Sequence, residues 1–358
     1  MRKFIVLVLI IILIPKKIYA ISDTAHSSIV MDIDSGRILY QKDSNTERLI
    51  ASTTKIMTFL IAVSNAIDRL DEKVVVGDEV LKMYGTNMYL NLNEELTLRE
   101  LLYGLMMRSG NDASVVIAKY VAGDEETFVN LMNDKSKEIG MNNTIFKNPH
   151  GLDEETKNYS TAYDLALLTR YLYLNYQIYR EIAGEKYYDF SSNLKSYSLI
   201  NRCKIIFTYK NITTAKNGYT PKSGKSLVTT ANKDNLNLLI VTLDDFDIYE
   251  NHKRLYDYYF NNYKNYLLLD KDNFKDQNTL FKDNYYIKNS FSYPLTIEEF
   301  NKIEKKIIVD SIDNKLRRID IYLDNKLLHE EIIYKLENTK EKESILRKIK
   351  KIIKNIFK

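Results

Sequence analysis

The sequence predicts an α+β fold: an antiparallel sheet flanked by helices, followed by a small all-β domain and a C-terminal amphipathic helix. Three observations carry this expectation. Strand-like patterns occur around residue 30 and again over Ser226–Ala231 and Leu236–Leu243, with helical periodicity filling the interval, so the plan is α+β and not repeated βαβ units. Past about Lys264, "KKIIVDSID" and "RRIDIYLDNKLLHEEIIYKL" alternate with period two, and "LDNKL" supplies a hairpin turn. The closing stretch "ESILRKIKKIIKNIFK" places Ile345, Leu346, Ile349, Ile352, Ile353, Ile356 and Phe357 on one helical face and basic residues on the rest.

Taken in order, the elements start with "MRKFIVLVLIIILIPKKIYA", residues 1–20. Arg2 and Lys3 precede an apolar run from Phe4 to Ile14, which is short for a bilayer span and suits an export signal cleaved after Ala20. Lys16 and Lys17 are unusual in a cleavage region, so an uncleaved N-terminal anchor is the alternative. Residues 21–260 form the main domain. "SSIVMDIDSGRILYQK" alternates and turns at Asp34-Ser35-Gly36, the pattern of a hairpin. From Thr53 to Ile67, Ile56, Leu60, Val63 and Ile67 recur at helical spacing with apolar residues between them, which predicts a helix buried nearly all round. Thr97 with Glu100 has capping-box spacing, and Ser160 or Thr161 with Asp164 opens the helix "AYDLALLTRYLYLN". "NRCKIIF" reads as strand, and "NKDN" joins the two later strands. Residues 265–340 are expected to form the small β-rich domain, a spacer or docking module without clustered catalytic residue types. Residues 341–358 form the amphipathic helix.

Composition narrows the function. The chain has 358 residues and a formal charge of +4, but the basic residues concentrate in the two terminal segments and leave the folded body mildly acidic. A nucleic-acid partner is therefore not expected. Cys203 is the only cysteine, so no internal disulfide forms, and the four histidines show no metal-ligand spacing. No metal or other cofactor is expected. The basic tail is the feature suited to a surface: apolar burial and attraction to anionic lipid add there, at about 1 kcal/mol per basic residue near the membrane. Packing on its own protein or on a partner is the alternative.

Three short motifs carry chemistry. In "LIASTTKIMTFL", Ser52 stands one helical turn before Lys55. Ser52 as a helix cap is the bland reading, but a capping box calls for Glu or Gln where Lys55 stands, at the helix end whose dipole disfavours a cation. Desolvation and that dipole lower a lysine's proton affinity, so a neutral amine can take the Ser52 proton. In "MMRSGNDASVV", Ser109 and Asn111 lie on a turn between helices, where they either cap the next helix or relay a proton and hold a substrate carbonyl. In "TTAKNGYTPKSGKSLVTTA", Lys216 precedes Gly218 at a strand end, where the missing Cβ lets a substrate backbone lie close; an ordinary Asn-Gly turn is the alternative.

In this order, Ser52-x-x-Lys55, Ser109-Gly110-Asn111 and Lys216-Asn217-Gly218 resemble the motif set of the penicillin-recognising serine enzymes. The surrounding "MDIDSGRILYQKDSNTERLIASTTKIMT", "LLYGLMMRSGNDASVVIA", "NPHGLDEETKNYSTAYDLALL" and "KSGKSLVTTA" narrow the resemblance to the low-molecular-weight serine-type D-alanyl-D-alanine carboxypeptidases. It covers roughly residues 25–245 and implies a β-lactamase/transpeptidase-like fold. It further implies Ser52 as acylated nucleophile, Lys55 as its base, and Ser109 and Asn111 lining the cleft. Lys216 would face the substrate's terminal carboxylate, with Gly218 beside it, and the N–H groups of Ser52 and Tyr219 would form an oxyanion hole. Asn217 replaces the family's usual Thr and is expected to offer a side-chain N–H to that carboxylate.

The function expected from this resemblance is an exported peptidase on the outer face of the cytoplasmic membrane. It would remove the terminal D-alanine from peptidoglycan stem peptides through an acyl-enzyme, with β-lactams acylating the same serine. The rivals are an endopeptidase on D-alanyl crosslinks and a membrane-bound wall-binding protein that has lost turnover, for which Asn217 is the one sequence feature. A β-lactamase is disfavoured because no dedicated deacylating carboxylate is marked.

Overall fold

The computed structural model describes residues 22–274, 285–309 and 316–335. The expected signal at 1–20 and the amphipathic helix at 341–358 lie outside the described residues. The described residues divide into two compact units, those up to Lys233 with Asn237–Tyr259 in the first and Asp234–Leu236 with those from Phe260 onward in the second.

The first unit is built on a five-stranded antiparallel sheet. Strand β1 (Ala25–Asp32) is buried at all but one position and pairs with β2 (Ile38–Lys42) through the expected hairpin, closed where Gly36 N–H donates to the Asp32 carbonyl at 2.9 Å. Strands β3 (Ile212–Thr220), β4 (Gly224–Lys233) and β5 (Leu236–Asp245) complete it in the order β2-β1-β5-β4-β3. Strand β3 is thus an edge. Its free side is where an extended peptide can align.

Helix α1 (Lys55–Ala66) follows a tight 3₁₀ turn at Ala51–Thr54 and is buried from Lys55 through Val63, as the all-round apolar pattern requires. Phe59 packs edge-on against Tyr179 with centroids 5.5 Å apart, in one core with Ile29, Leu102 and Leu165. Helix α2 (Leu98–Tyr103) begins at the predicted capping box, with Thr97 Oγ1 accepting from Glu100 N–H and the Glu100 carboxylate accepting from Thr97 N–H. It continues through a π turn to Arg108, and α3 (Asn111–Ala122) and α4 (Glu125–Glu138) follow. Helix α5 (Ala162–Asn175) is capped by Thr161, whereas the Asp164 carboxylate turns instead to Asn143 N–H and Thr144 Oγ1. Helix α6 (Ile248–Asn262) follows β5.

One local expectation fails. "NRCKIIF" is not strand: Ile205–Thr208 form a helical turn. Cys203, Ile205 and Ile206 all enter one apolar cluster with Ala215, Leu227 and Ile248. A strand would send neighbours 205 and 206 to opposite faces, whereas a helical turn buries both.

In the second unit, β6 (Lys264–Leu269) pairs with β8 (Phe291–Leu295), while β7 (Tyr285–Ile287), β9 (Ile303–Val309), β10 (Leu316–Leu323) and β11 (Lys326–Lys335) form a sheet of order β7-β11-β10-β9. The hairpin turn falls at Asp324 and Asn325, both with positive φ as a tight two-residue connection demands. One helical turn, Ile297–Phe300, interrupts the β pattern, held by a capping box between Thr296 and Glu299. Leu268, Leu269, Ile319, Ile321 and Ile333 make its core.

Candidate active site

Three separated segments converge at the free side of β3. The 3₁₀ turn places half-buried Ser52 at its second position, directly after Ala51, whose φ of 44° is a strained value for a residue with a Cβ. The Ser52 hydroxyl caps nothing, since the turn begins at Ile50 and has no side-chain cap. Its partner is Lys55, with Nζ 3.1 Å from Ser52 Oγ. The helical-cap reading of Ser52 is therefore replaced by a hydroxyl free for chemistry.

Lys55 is fully buried. Its Nζ also donates to Asn111 Oδ1 at 2.7 Å and to the His150 carbonyl at 2.5 Å. Burial, reinforced by the nearby Lys216 ammonium and opposed by Asp112, holds its proton affinity well below that of an ordinary lysine. Asn111 opens α3 without capping it; its amide spans the cleft, accepting from Lys55 and donating to the Tyr84 carbonyl at 2.7 Å. Ser109 does not cap α3 either. It sits in the left-handed region at φ 61°, at the end of the π turn, where it faces Lys216 Nζ at 3.0 Å. Strained backbone of this kind persists where packing over-determines it.

Lys216 is also fully buried on β3, donating to Ser109 Oγ and, at 2.6 Å, to the Asn217 carbonyl. Desolvation brings its pKa down to about 8, with Cys203 opposing the drop and Arg202 adding to it. Gly218 shares its face. A Cβ there would stand 3.0 Å from both the Ile50 carbonyl and Ser52 N, so only glycine lets β3 approach the Ser52 turn this closely. Tyr219 is 62% exposed, and its side chain takes no part in the buried network.

Of the residues expected at the site, Ser52, Lys55, Ser109, Asn111, Lys216 and Gly218 come together. The side chain of Asn217 does not. It points to the opposite face of β3, as strand alternation dictates, and its Oδ1 accepts from Cys203 Sγ at 3.3 Å. Its amide oxygen is thus engaged away from Lys216 and Ser109.

Sequence reasoning also missed contributors. The His150 carbonyl reaches Lys55 because the loop after Phe146 is bound internally: Asn148 Oδ1 accepts from Gly151 N–H at 2.6 Å, and Asn158 Oδ1 from Lys147 N–H at 2.7 Å. Gly151, at φ 87°, lies against Ala51, where a Cβ would stand 2.0 Å from the Ala51 oxygen. The stretch "NPHGL" was visible, but a backbone carbonyl has no residue signature. Burial lowers the His150 ring's pKa to about 3, so it is neutral at ordinary pH. Arg202 donates through its N–H to the Met107 carbonyl and reaches Thr86 Oγ1 at 3.3 Å.

A hydroxyl beside a desolvated amine, an amide across the cleft and a second buried amine on a strand edge can together run acyl transfer. Comparison with known proteins decides the lineage: residues 16–247 match the family model of peptidase S11, D-alanyl-D-alanine carboxypeptidase. The chain belongs to this family. It carries the family's serine DD-carboxypeptidase function. It is 33% identical over 307 residues to the D-alanyl-D-alanine carboxypeptidase DacF of Bacillus subtilis, covering 82% of this chain and 78% of that protein. It is 29% identical over 227 residues to the D-alanyl-D-alanine endopeptidase of Escherichia coli, covering 62% and 72%. Among solved structures, penicillin-binding protein 6B of Escherichia coli superposes with a TM-score of 0.72 at 25% identity, over 90% of this chain and 98% of that one.

Proposed function

We propose that Ser52 Oγ attacks the carbonyl of the penultimate D-alanine of a peptidoglycan stem peptide while neutral Lys55 takes its proton. The N–H groups of Ser52 and Tyr219 receive the developing oxyanion, and Asn111 holds the substrate amide. Lys216 faces the terminal carboxylate, and the proton that Lys55 took passes by way of Ser109 to the departing D-alanine amine, which leaves Lys55 neutral again. Water then attacks the acyl-enzyme with Lys55 again as base, releasing the shortened peptide. β-Lactams acylate the same serine. The observation that carries this reading is the fully buried Lys55 amine 3.1 Å from Ser52 Oγ.

The test is D-alanine release from a soluble stem pentapeptide, run beside digestion of crosslinked muropeptides. Carboxypeptidase action releases free D-alanine from the monomer and leaves crosslinks intact. Faster cutting of crosslinks would favour the endopeptidase reading, which the Escherichia coli endopeptidase relative keeps in view. Release of nothing from either substrate would favour the wall-binding one.

The two amines set the pH dependence. Lys55 must be neutral to act as base, so activity is present above its depressed pKa; Lys216 must be charged to face a carboxylate, so activity is lost as pH rises through about 8. The kcat/KM for a peptide ending in a free carboxylate is expected to fall above pH 8 by up to tenfold per unit. An amidated peptide should lack that alkaline limb. A rate on the free acid still climbing at pH 9.5 would remove Lys216 from this role.

We further propose action outside the cytoplasmic membrane, with residues 1–20 as export signal and the basic amphipathic stretch 341–358 lying on the outer face of that same membrane. Its support is the sequence pattern itself. Deleting 341–358 is expected to move the protein from the membrane to the soluble fraction with an unchanged rate on a soluble peptide. Continued sedimentation with membranes would place the anchor in another segment.

A further inference from the structure

Neighbours on a strand face opposite ways, and on β3 the alternation separates two tasks. Lys216 meets Ser109 inside the cleft, while Ala215 joins the apolar cluster behind the sheet that contains Cys203, Leu227 and Ile248. Asn217 lies on that rear face. Its Oδ1 accepts from Cys203 Sγ at 3.3 Å, and Tyr249 lines the same pocket. A planar amide offers an acceptor and donors at once, whereas a threonine has a single hydroxyl on a shorter stem.

Cys203 is 1% exposed and follows Arg202 in a short loop. That loop is tied forward as well, because Arg202 N–H donates to the Met107 carbonyl, 3.0 Å away and two residues before Ser109. The Arg202 guanidinium lies close enough to Lys216 to act on its charge, and reaches Thr86 Oγ1 at 3.3 Å. The loop thus touches both walls of the cleft, and the Asn217–Cys203 hydrogen bond is a joint between it and β3.

We infer that Asn217 is a positioning residue: held behind β3 by Cys203, it fixes the loop bearing Arg202 against the strand bearing Lys216. Recognition of the leaving group's carboxylate then rests on Lys216 and on no side chain at position 217. This rests on the reading of Lys216 as the carboxylate-facing group. It also makes the Thr-to-Asn departure compatible with turnover.

The experiment compares Asn217→Ala, Cys203→Ala, Cys203→Ser and the double Ala variant on an N-acylated L-lysyl-D-alanyl-D-alanine peptide. Acylation by a fluorescent penicillin reports a folded site. Both single Ala variants are expected to raise KM about threefold to tenfold, the range for a lost hydrogen bond, with kcat within about twofold. Cys203→Ser keeps a donor and should stay near wild type, and the double variant should be no worse than Asn217→Ala, because both substitutions remove one joint. A kinetically normal Cys203→Ala beside an impaired Asn217→Ala would overturn the inference and indicate direct contact of Asn217 with substrate; additive losses would overturn it too. If Cys203→Ala fails to fold, alkylation of Cys203 by iodoacetamide decides. Native Asn217→Ala protein should react faster than wild type, and equal rates count against the joint. Wild type that releases no D-alanine would defeat the proposed role of the cleft, while the alkylation rates still judge the joint.

Discussion

Ser52→Ala is expected to lose both D-alanine release and covalent labelling by penicillin, with a deficit on the order of 10⁶-fold, as in other serine acyl-enzymes stripped of their nucleophile. The fold should be untouched. Read as a helix cap, Ser52 would contribute about 1 kcal/mol, and its removal would lower stability by that much. The hydroxyl caps no backbone N–H and has Lys55 as its partner, so the change in unfolding free energy is expected within about 0.5 kcal/mol. Denaturant unfolding and a gel with fluorescent penicillin check the two halves. A folded Ser52→Ala protein that still labels covalently would move the nucleophile to another residue.

Lys55→Met is expected to lower the acylation rate by about 10²–10⁴, the usual contribution of a positioned general base, with little change in KM. Methionine fills a similar volume, so Ser52 keeps its place while losing the group that takes its proton. Rapid-mixing acylation with a chromogenic β-lactam measures the step directly. Raising the pH should not restore it, since no other amine lies within hydrogen-bonding distance of Ser52 Oγ among the described residues. A deficit below tenfold would assign the base elsewhere. Lys216, on Ser109 and with a pKa of about 8, is the group to examine next.

Much of this was legible in the chain because it follows from local rules. Thr97 and Glu100 form their box, Thr161 caps its helix, and the turn at Asp324-Asn325 closes its hairpin, since each depends on residues within one turn of one another. The Ser52–Lys55 pair is of the same kind: one helical turn brings the two side chains together wherever that turn is packed. Where reasoning failed, the cause was non-local. Ile205 and Ile206 look like strand residues, but the cluster with Leu227 and Ile248 needs both on one side. Asn217 looks like a substituted donor for the cleft, but its amide oxygen is claimed by Cys203, fourteen residues earlier.

The sequence by itself determined most of the element types, the three motifs and the reaction class they serve, because periodicity, capping and residue chemistry are properties of short segments. The tertiary structure alone decided which groups meet. It supplied Lys55 with the His150 carbonyl, brought Lys216 close enough for its charge to act on Lys55, and let Gly218 and Gly151 press against the Ser52 turn. It also turned the Asn217 amide out of the cleft. The physical reason is that burial and proximity set proton affinities and hydrogen-bond choices, and both arise when distant segments pack, where a side chain takes the partners its face of the strand presents.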